Sequence, residues 1–314
     1  MTQPVLQPVL QPVLHSTPRP RDVLREQVRA LGIAIKLPAI VAVALATLAT
    51  IVVASRLFDA GKPIDFAPEL SMLPGIVGLL LPIGVWRGED RFGAGLLWTL
   101  PVDRRHHALT RVCAGWVWLM AAVALFVLWL FAITLISGGN VTAESTILVL
   151  PSSVVPEPGT LDAASLESVR WTPRPLLWLV PFTSATGAYL LASAFALGTR
   201  HPIRWLVGVV LAFFAFLGFA EATHSRVLLQ GANRVLVALM DGPYGIDALL
   251  TARTESLHTE ATLSTGETVG VWRGLPDLGQ WMKATLFWTS MGLAALWAAA
   301  SRHRERRRGL SPRL

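Results

Sequence analysis

The run VCAGWVWLMAAVALFVLWLFAITLI, residues 112–136, decides the fold class of this chain because it contains no charged side chain. A bilayer core is crossed by about 20 apolar residues in helical conformation. Lipid cannot hydrogen-bond the backbone, so a spanning segment must be a helix or part of a closed barrel. Continuous apolarity, rather than alternation, favours the helix. The run is therefore predicted to form a membrane-spanning helix that is long enough to tilt.

Five further apolar runs lie on both sides of this one. Together they predict six spans, at residues 37–55, 70–86, 112–136, 175–199, 203–220 and 284–301. The spans contain no Asp, Glu or Lys, and Arg204 is their only charged residue. Pro74 and Pro82 predict a kink in the short second span. The predicted fold class is an all-α integral membrane protein with six transmembrane helices.

The distribution of charge predicts the orientation of these helices, because cytoplasmic segments carry an excess of Lys and Arg. If both termini are cytoplasmic, the inner segments hold 18 of the 27 basic residues and 6 of the 20 acidic residues. Their net charge is then +12, against −5 for the outer segments. We therefore expect an integral plasma (inner) membrane protein with both termini in the cytoplasm. This asymmetry also accounts for the high pI without nucleic-acid binding.

The termini differ in character from the spans. Residues 1–19 contain three Gln-Pro-Val-Leu repeats and are expected to be a disordered tail, since regular prolines exclude a helix. Residues 20–36 alternate Arg with apolar residues and predict an amphipathic interfacial helix that leads into the first span. Residues 37–301 form the predicted six-helix domain, and its first span is interpreted as a retained helix. Residues 302–314 are expected to be a basic cytoplasmic tail.

Two outer segments are long enough to form a small cap. In residues 137–174, Thr146–Leu150 fits a short strand. In residues 221–282, Val227–Met240 has helical periodicity, and Thr259–Gly274 is rich in the residues of a hairpin. We expect these pieces to cover the outer face without forming a large ectodomain.

The segment WRGEDRFGAGLLWTLPVDRR, residues 86–105, lies between the second and third spans and is too apolar in its middle for an ordinary basic loop. Acidic residues favour a helix N-terminus, apolar residues recur at helical spacing, and a proline then ends the helix. The arginines that follow suit acidic groups on a partner or lipid phosphate. The predicted contact residues are Glu89, Asp90, Arg91, Phe92, Leu96, Leu97, Leu100, Pro101, Arg104 and Arg105.

The pattern Glu89-x-x-x-Gly93, followed by Thr99-Leu100-Pro101-Val102-x-Arg104-Arg105, resembles the ABC-2 type permeases of ATP-binding cassette transporters. The motif covers about seventeen residues, whereas the resemblance in architecture covers most of the chain. It implies that this segment is the coupling helix, which fits a groove on a cytoplasmic ATPase. Asp103 stands where that family often has Ser or Thr.

The resemblance also implies the partners and cofactors. The partners would be the ATP-binding cassette ATPase, a second copy of this permease or a related one, and membrane lipids. ATP and Mg²⁺ would belong to the ATPase, with no cofactor in this chain. The chain itself has no phosphate-binding loop, because Gly61-Lys62 is followed by Pro63. It also lacks the common hydrolase and zinc-protease motifs, so we do not expect an enzyme.

The spans carry no carboxylate for a proton or sodium relay, so energy is expected from a partner. Phe213, Phe214 and Phe216 lie in the fifth span, which lines the pathway in the family that the chain resembles. They suggest an exported substrate that is apolar or amphiphilic, although lipid contact explains such a run equally well. Two other classes remain open: a membrane anchor or sensor that recruits a cytoplasmic partner, and a membrane enzyme. Glu221 and His224 form an isolated pair, which fits a local polar contact better than a metal site.

Overall fold

The computed structural model of this chain describes residues 20–60, 72–86, 104–138, 145–149, 166–172, 174–199, 201–241, 244–252, 259–262, 268–271, 275 and 277–305. Its helices are α1 (Pro20–Ala60), α2 (Leu73–Val85), α3 (Arg104–Ile136), α4 (Val180–Gly198), α5 (Pro202–Ala222), α6 (Arg226–Met240), α7 (Ile246–Thr251) and α8 (Leu278–Glu305). A 3₁₀ turn over Pro175–Leu179 leads into α4. The strands are β1 (Ser145–Val149), β2 (Glu167–Trp171), β3 (Thr259–Thr262) and β4 (Thr268–Val271).

Four helical segments of the described chain are long and apolar enough to cross a membrane. They are Arg105–Ile136, Pro175–Gly198, Pro202–Ala222 and Leu278–Ser301. They overlap the last four predicted spans and indicate an integral membrane protein. Helix α2 is apolar but has only 13 residues, whereas a hydrocarbon core needs about 20. The first predicted span falls inside α1, where most of its side chains lie outside the described part of the chain.

Helix α1 joins the predicted interfacial helix and the first predicted span in one uninterrupted element of 41 residues. The helix continues through Pro38, although proline removes a backbone donor and usually interrupts a helix. The change from an amphipathic to an apolar pattern near Lys36 therefore falls within a continuous helical backbone.

The N-terminal half of α1 packs against α3. The indole Nε1 of Trp118 donates a hydrogen bond to the carbonyl oxygen of Val28 over 2.8 Å. Gly32 makes room for the same ring, since a Cβ at this position would lie 2.6 Å from Cζ2 of Trp118. Leu31 beside it is only 2% exposed. The segment predicted to lie in the headgroup plane thus has a protein neighbour along one face.

Helix α4 is the centre of the bundle and packs against α2, α3 and α8. Its close contacts depend on glycines of its neighbours. A Cβ on Gly78 of α2 would meet the carbonyl oxygen of Ala185, and one on Gly292 of α8 would lie 2.8 Å from Cβ of Leu190. Small residues permit such close approach of helices in lipid, where dispersion contacts drive association. The apolar cluster at this junction includes Val85, Val112, Leu119, Ala185, Tyr189, Leu197 and Leu296.

The elements outside the spans match three predictions. Strand β1 corresponds to the predicted strand at Thr146–Leu150, and it pairs in antiparallel fashion with β2. Strands β3 and β4 form the hairpin expected within Thr259–Gly274. Helix α6 corresponds to the helical pattern at Val227–Met240. Short α7 packs against α4 and α8, with Leu249 seated beside Gly187.

Candidate functional site

Most of the predicted partner-binding segment lies in residues 87–103, outside the described part of the chain. Arg104 begins α3, and Arg105 is described with its side chain. What the structure shows is how the two ends of the segment are held. The predicted contact residues that lie outside the described ranges are Glu89, Asp90, Arg91, Phe92, Leu96, Leu97, Leu100 and Pro101.

The segment leaves α2 at a buried end. Val85 is fully buried and Trp86 is 4% exposed. The backbone N–H of Trp86 still bonds to the carbonyl of Pro82 over 3.1 Å, so the helical pattern continues to this residue. Pro82 lies inside α2, as the kink prediction requires, whereas Pro74 lies in the first turn. Proline is tolerated there because the first N–H groups of a helix have no partner within it, so Pro82 is the residue to which the predicted kink would belong.

Arg111 of α3 ties this end of α2 to the start of the next span. Its Nε donates a hydrogen bond to the carbonyl oxygen of Val85 over 2.8 Å. Its guanidinium carbon lies 5.6 Å from the centre of the Trp86 ring. A terminal carbonyl of a helix has no intrahelical partner, so a cation close to it satisfies a buried acceptor and also complements the helix dipole. The contact fixes the separation between the two ends of the 87–103 segment.

Tyr189 of α4 joins the same level of the bundle. Its side chain is fully buried, and its hydroxyl donates to the carbonyl oxygen of Val112 over 2.8 Å. Gly115 makes this possible, because a Cβ at that position would collide with the tyrosine hydroxyl and lie 2.8 Å from Cγ2 of Val85. A buried hydroxyl needs such a partner to offset its loss of water. Helices α2, α3 and α4 therefore meet close to the end of α2 from which the segment leaves.

Arg105 provides a contact with the last helix. Its guanidinium carbon lies 3.4 Å from the centre of the Trp297 ring of α8. This is the geometry of a cation–π pair, which is attracted by the negative face of the ring. The sequence pattern assigned Arg105 to an acidic partner or to lipid phosphate, but the structure directs it against another helix of the same chain.

We call Val85, Trp86, Arg105, Arg111, Tyr189 and Trp297 the loop-base cluster. It connects both ends of the 87–103 segment to α4 and α8. Helix α3 begins at Arg104, eight residues before the predicted start of the third span, so both arginines of the cluster lie on its first turns. A displacement of the segment would reach the bundle through helices and short polar contacts, because every member of the cluster except Trp86 lies within a helix.

Replacing Arg111 by Ala is expected to lower the free energy of unfolding by about 1 to 2 kcal/mol. The change removes a charged donor from the Val85 carbonyl. Because the Arg111 side chain is partly exposed, the loss in stability is expected at the lower end of the range for charged hydrogen bonds. Thermal unfolding in detergent measures it. Arg204→Ala is the matched control, because Arg204 is exposed on α5. Equal unfolding temperatures for the two variants would contradict the role given to Arg111.

Phe213, Phe214 and Phe216, the predicted pathway residues, all lie on α5 with exposed side chains. The rings of Phe213 and Phe214 contact each other edge to face, with centres 6.2 Å apart. Only 6% of the most apolar stretch of α5 is buried inside the chain, against 50% for the Pro175–Gly198 span. The described part of the chain therefore leaves these phenylalanines uncovered, and it does not by itself enclose a pathway lined by them.

No group of three or more His, Cys, Asp or Glu residues that could hold a metal ion occurs within the described ranges. Glu221 and His224 are both exposed, and the contact between them is a backbone hydrogen bond from the His224 N–H to the Glu221 carbonyl. Cys113 is a free, exposed thiol on α3. The contacts that the structure does show here are those of the loop-base cluster, which join α2, α3, α4 and α8.

Sequence reasoning missed Tyr189 and Trp297 as members of the loop-base cluster, and it missed Gly115, which makes room for the tyrosine hydroxyl. A signal was present for the first, since Tyr189 is one of only two tyrosines and lies in an otherwise apolar span. No protein-family model, curated protein or solved structure matches this chain.

Proposed function

We propose that this chain is the permease subunit of an ABC-2 type transporter that exports an apolar or amphiphilic substrate. A separate cytoplasmic ATPase would drive it from below, and a second permease would complete the assembly. The observation that carries the proposal is the partly apolar segment between α2 and α3, whose two ends are held by the loop-base cluster. These contacts join the helices at both ends of the segment to α4 and α8, so a force applied to the segment would reach the rest of the bundle.

The loop-base cluster suggests how movement would pass into the membrane. When the ATPases close on ATP, the docked segment would shift with them. Arg111 would carry that shift to the end of α2, and Tyr189 would carry it from α3 to α4. Arg105 would carry it to α8 through Trp297. The spans would move relative to one another as packed bodies, which is the usual form of a switch between two arrangements.

The separation of roles between two chains is consistent with the composition of the spans. The six predicted spans hold no carboxylate, and Glu221 lies only in the last turn of α5, beyond the fifth of them, so an ion relay through the membrane would have no proton or sodium carrier inside the predicted spans. ATP and Mg²⁺ would be bound by the partner, and this chain would provide the path for the substrate. In this arrangement the segment and both termini lie in the cytoplasm, on the inner face of the plasma membrane, in agreement with the charge distribution.

Purification of the full-length chain from its native membrane tests this function. We expect a protein with a phosphate-binding loop to copurify, and we expect its ATP hydrolysis rate to change when the permease is present in nanodiscs. An anchor or sensor would instead bring down a partner without nucleotide turnover. A membrane enzyme would show turnover in the purified chain alone. Either of the last two results would overturn the proposal.

A further inference from the structure

Helix α6 follows the apolar helix α5 after an abrupt stop. His224 adopts a left-handed conformation with φ 49°. Its N–H bonds to the carbonyl of Glu221 over 2.9 Å, and the N–H of Ser225 bonds to the carbonyl of Ala220 over 3.1 Å. This pair of bonds is the Schellman arrangement, which satisfies the last carbonyls of a helix and redirects the chain. Helix α6 then begins at Arg226, four residues after the end of α5.

Helix α6 has two distinct faces. At 3.6 residues per turn, its polar residues lie within about a third of the circumference, together with Val237. The polar residues are Arg226, Gln230, Asn233 and Arg234. The opposite face is continuous and apolar, and it is formed by Leu228, Leu229, Ala232, Val235, Leu236 and Leu239.

The apolar face of α6 is not covered by the described part of the chain, since no residue of the helix is buried. Val235 is 68% exposed, and Leu229, Leu236 and Leu239 are also exposed. A continuous apolar surface of this kind is unfavourable in water and marks a contact surface. The expectation that this region is part of a small cap over the outer face does not account for it.

The position and charge of α6 indicate what covers this face. Helix α5 is apolar and long enough to cross a membrane, so the stop at His224 falls where the bilayer ends. Residues 226–240 contain two arginines and no acidic residue. An amphipathic helix with Arg on its polar face binds in the headgroup plane, where lipid phosphates attract the charge and acyl chains receive the apolar side.

We propose that α6 is an interfacial helix that binds the bilayer surface and prefers anionic lipid. Its apolar face lies at the boundary of the acyl chains, and Arg226 and Arg234 face the phosphates. This inference goes beyond the proposed function, because it concerns neither the 87–103 segment nor an ATPase. A failure of ATPase binding would leave it intact.

Spin labels on the full-length chain test the orientation of α6. In a Cys113→Ser background, labels are placed singly by Leu239→Cys and Gln230→Cys, which are nine residues apart and therefore on opposite faces. The chain is reconstituted in nanodiscs of phosphatidylcholine and phosphatidylglycerol. Collision with oxygen reports lipid, and collision with a water-soluble nickel complex reports solvent. Phe214→Cys, on the exposed surface of α5, gives the reference for the hydrocarbon.

We expect the Leu239 label to have a several-fold higher ratio of oxygen to nickel collisions than the Gln230 label, approaching that of the Phe214 label. Val235→Cys and Asn233→Cys, which lie about 200° apart around the helix, form a second opposed pair with the same expectation, should either first variant fail to fold. Nickel access to both faces would show an aqueous helix and overturn the proposal. Dipolar broadening that disappears on dilution with unlabelled protein would show a second copy on this face and would also overturn it.

A comparison of two lipid compositions tests the preference of α6 for anionic lipid. In nanodiscs of phosphatidylcholine alone, the Leu239 label is expected to show greater nickel access than it does with phosphatidylglycerol present. Arg226→Gln together with Arg234→Gln should abolish this difference between lipids. Arg204→Gln, on the far end of α5, should preserve it. If the Leu239 label shows equal nickel access in both lipids without the arginine replacements, the role given to the arginines is wrong.

Discussion

Replacing Gly78 by Val is expected to separate α2 from α4 and to lower the free energy of unfolding by about 3 kcal/mol or more. Overpacking of a tight contact costs about 1 to 3 kcal/mol when side chains can adjust. Here the neighbour is backbone: the new Cβ would meet the carbonyl oxygen of Ala185, with its carbonyl carbon and Cα at 3.1 Å. A backbone carbonyl inside α4 cannot rotate away, so the two helices must move apart.

Gly84→Val is the matched control for this prediction. It makes the same change in the same helix, and no described atom lies within 4 Å of the Cβ that the change would add. The intrinsic effect of Val on the helix therefore cancels between the two variants. The unfolding temperature in mild detergent and the monodisperse fraction after size-exclusion chromatography are measured for both variants. Comparable behaviour of the two variants would disprove the close contact between α2 and α4.

The spans from α3 onward were predictable because hydropathy depends only on local composition. A run such as residues 112–136 has one stable form in lipid, a helix, whatever its neighbours are. The same reasoning overestimated α2, which begins at Leu73 beside Pro74 and is shorter than the apolar run. The sequence pattern also predicted two separate elements where the structure has the single helix α1. The reason is that a residue pattern reports the surroundings of a helix and not the continuity of its backbone.

The loop-base cluster could not be predicted in this way. It joins Val85, Arg111, Tyr189 and Trp297, which are distant in sequence, and each belongs to a helix with several apolar faces. Which faces meet depends on where glycines permit close approach, as Gly115 does beside Tyr189. A hydropathy pattern is nearly uniform around such helices and contains no information on that choice. Arg105 was predicted to contact a partner or lipid phosphate, and its contact with Trp297 within the chain was not predicted.

The contacts at the two ends of the 87–103 segment determine what we expect of its middle. Its ends are held by contacts with helices of the same chain, and the proposed docking role falls on the apolar residues between them. If the segment is a docking helix, Leu96 and Leu97 lie on the same side as Phe92 and Leu100. Ala94 and Gly95 then lie on the opposite side, since successive residues are 100° apart.

Leu96→Asp combined with Leu97→Asp is therefore expected to abolish ATPase binding while leaving the bundle folded. Two carboxylates would enter an apolar groove without partners, and at about 2 kcal/mol for each lost anchor the Kd rises nearly a thousandfold. Ala94→Asp with Gly95→Asp introduces the same charge on the opposite side and should retain binding. Pull-down of the ATPase from nanodiscs, with unfolding temperature as the check of folding, separates the two. If the leucine variant is folded and still binds the ATPase and transports, the segment is not the docking site. If both double variants lose ATPase binding equally, added negative charge anywhere on the segment prevents binding, and the leucines are not specific anchors.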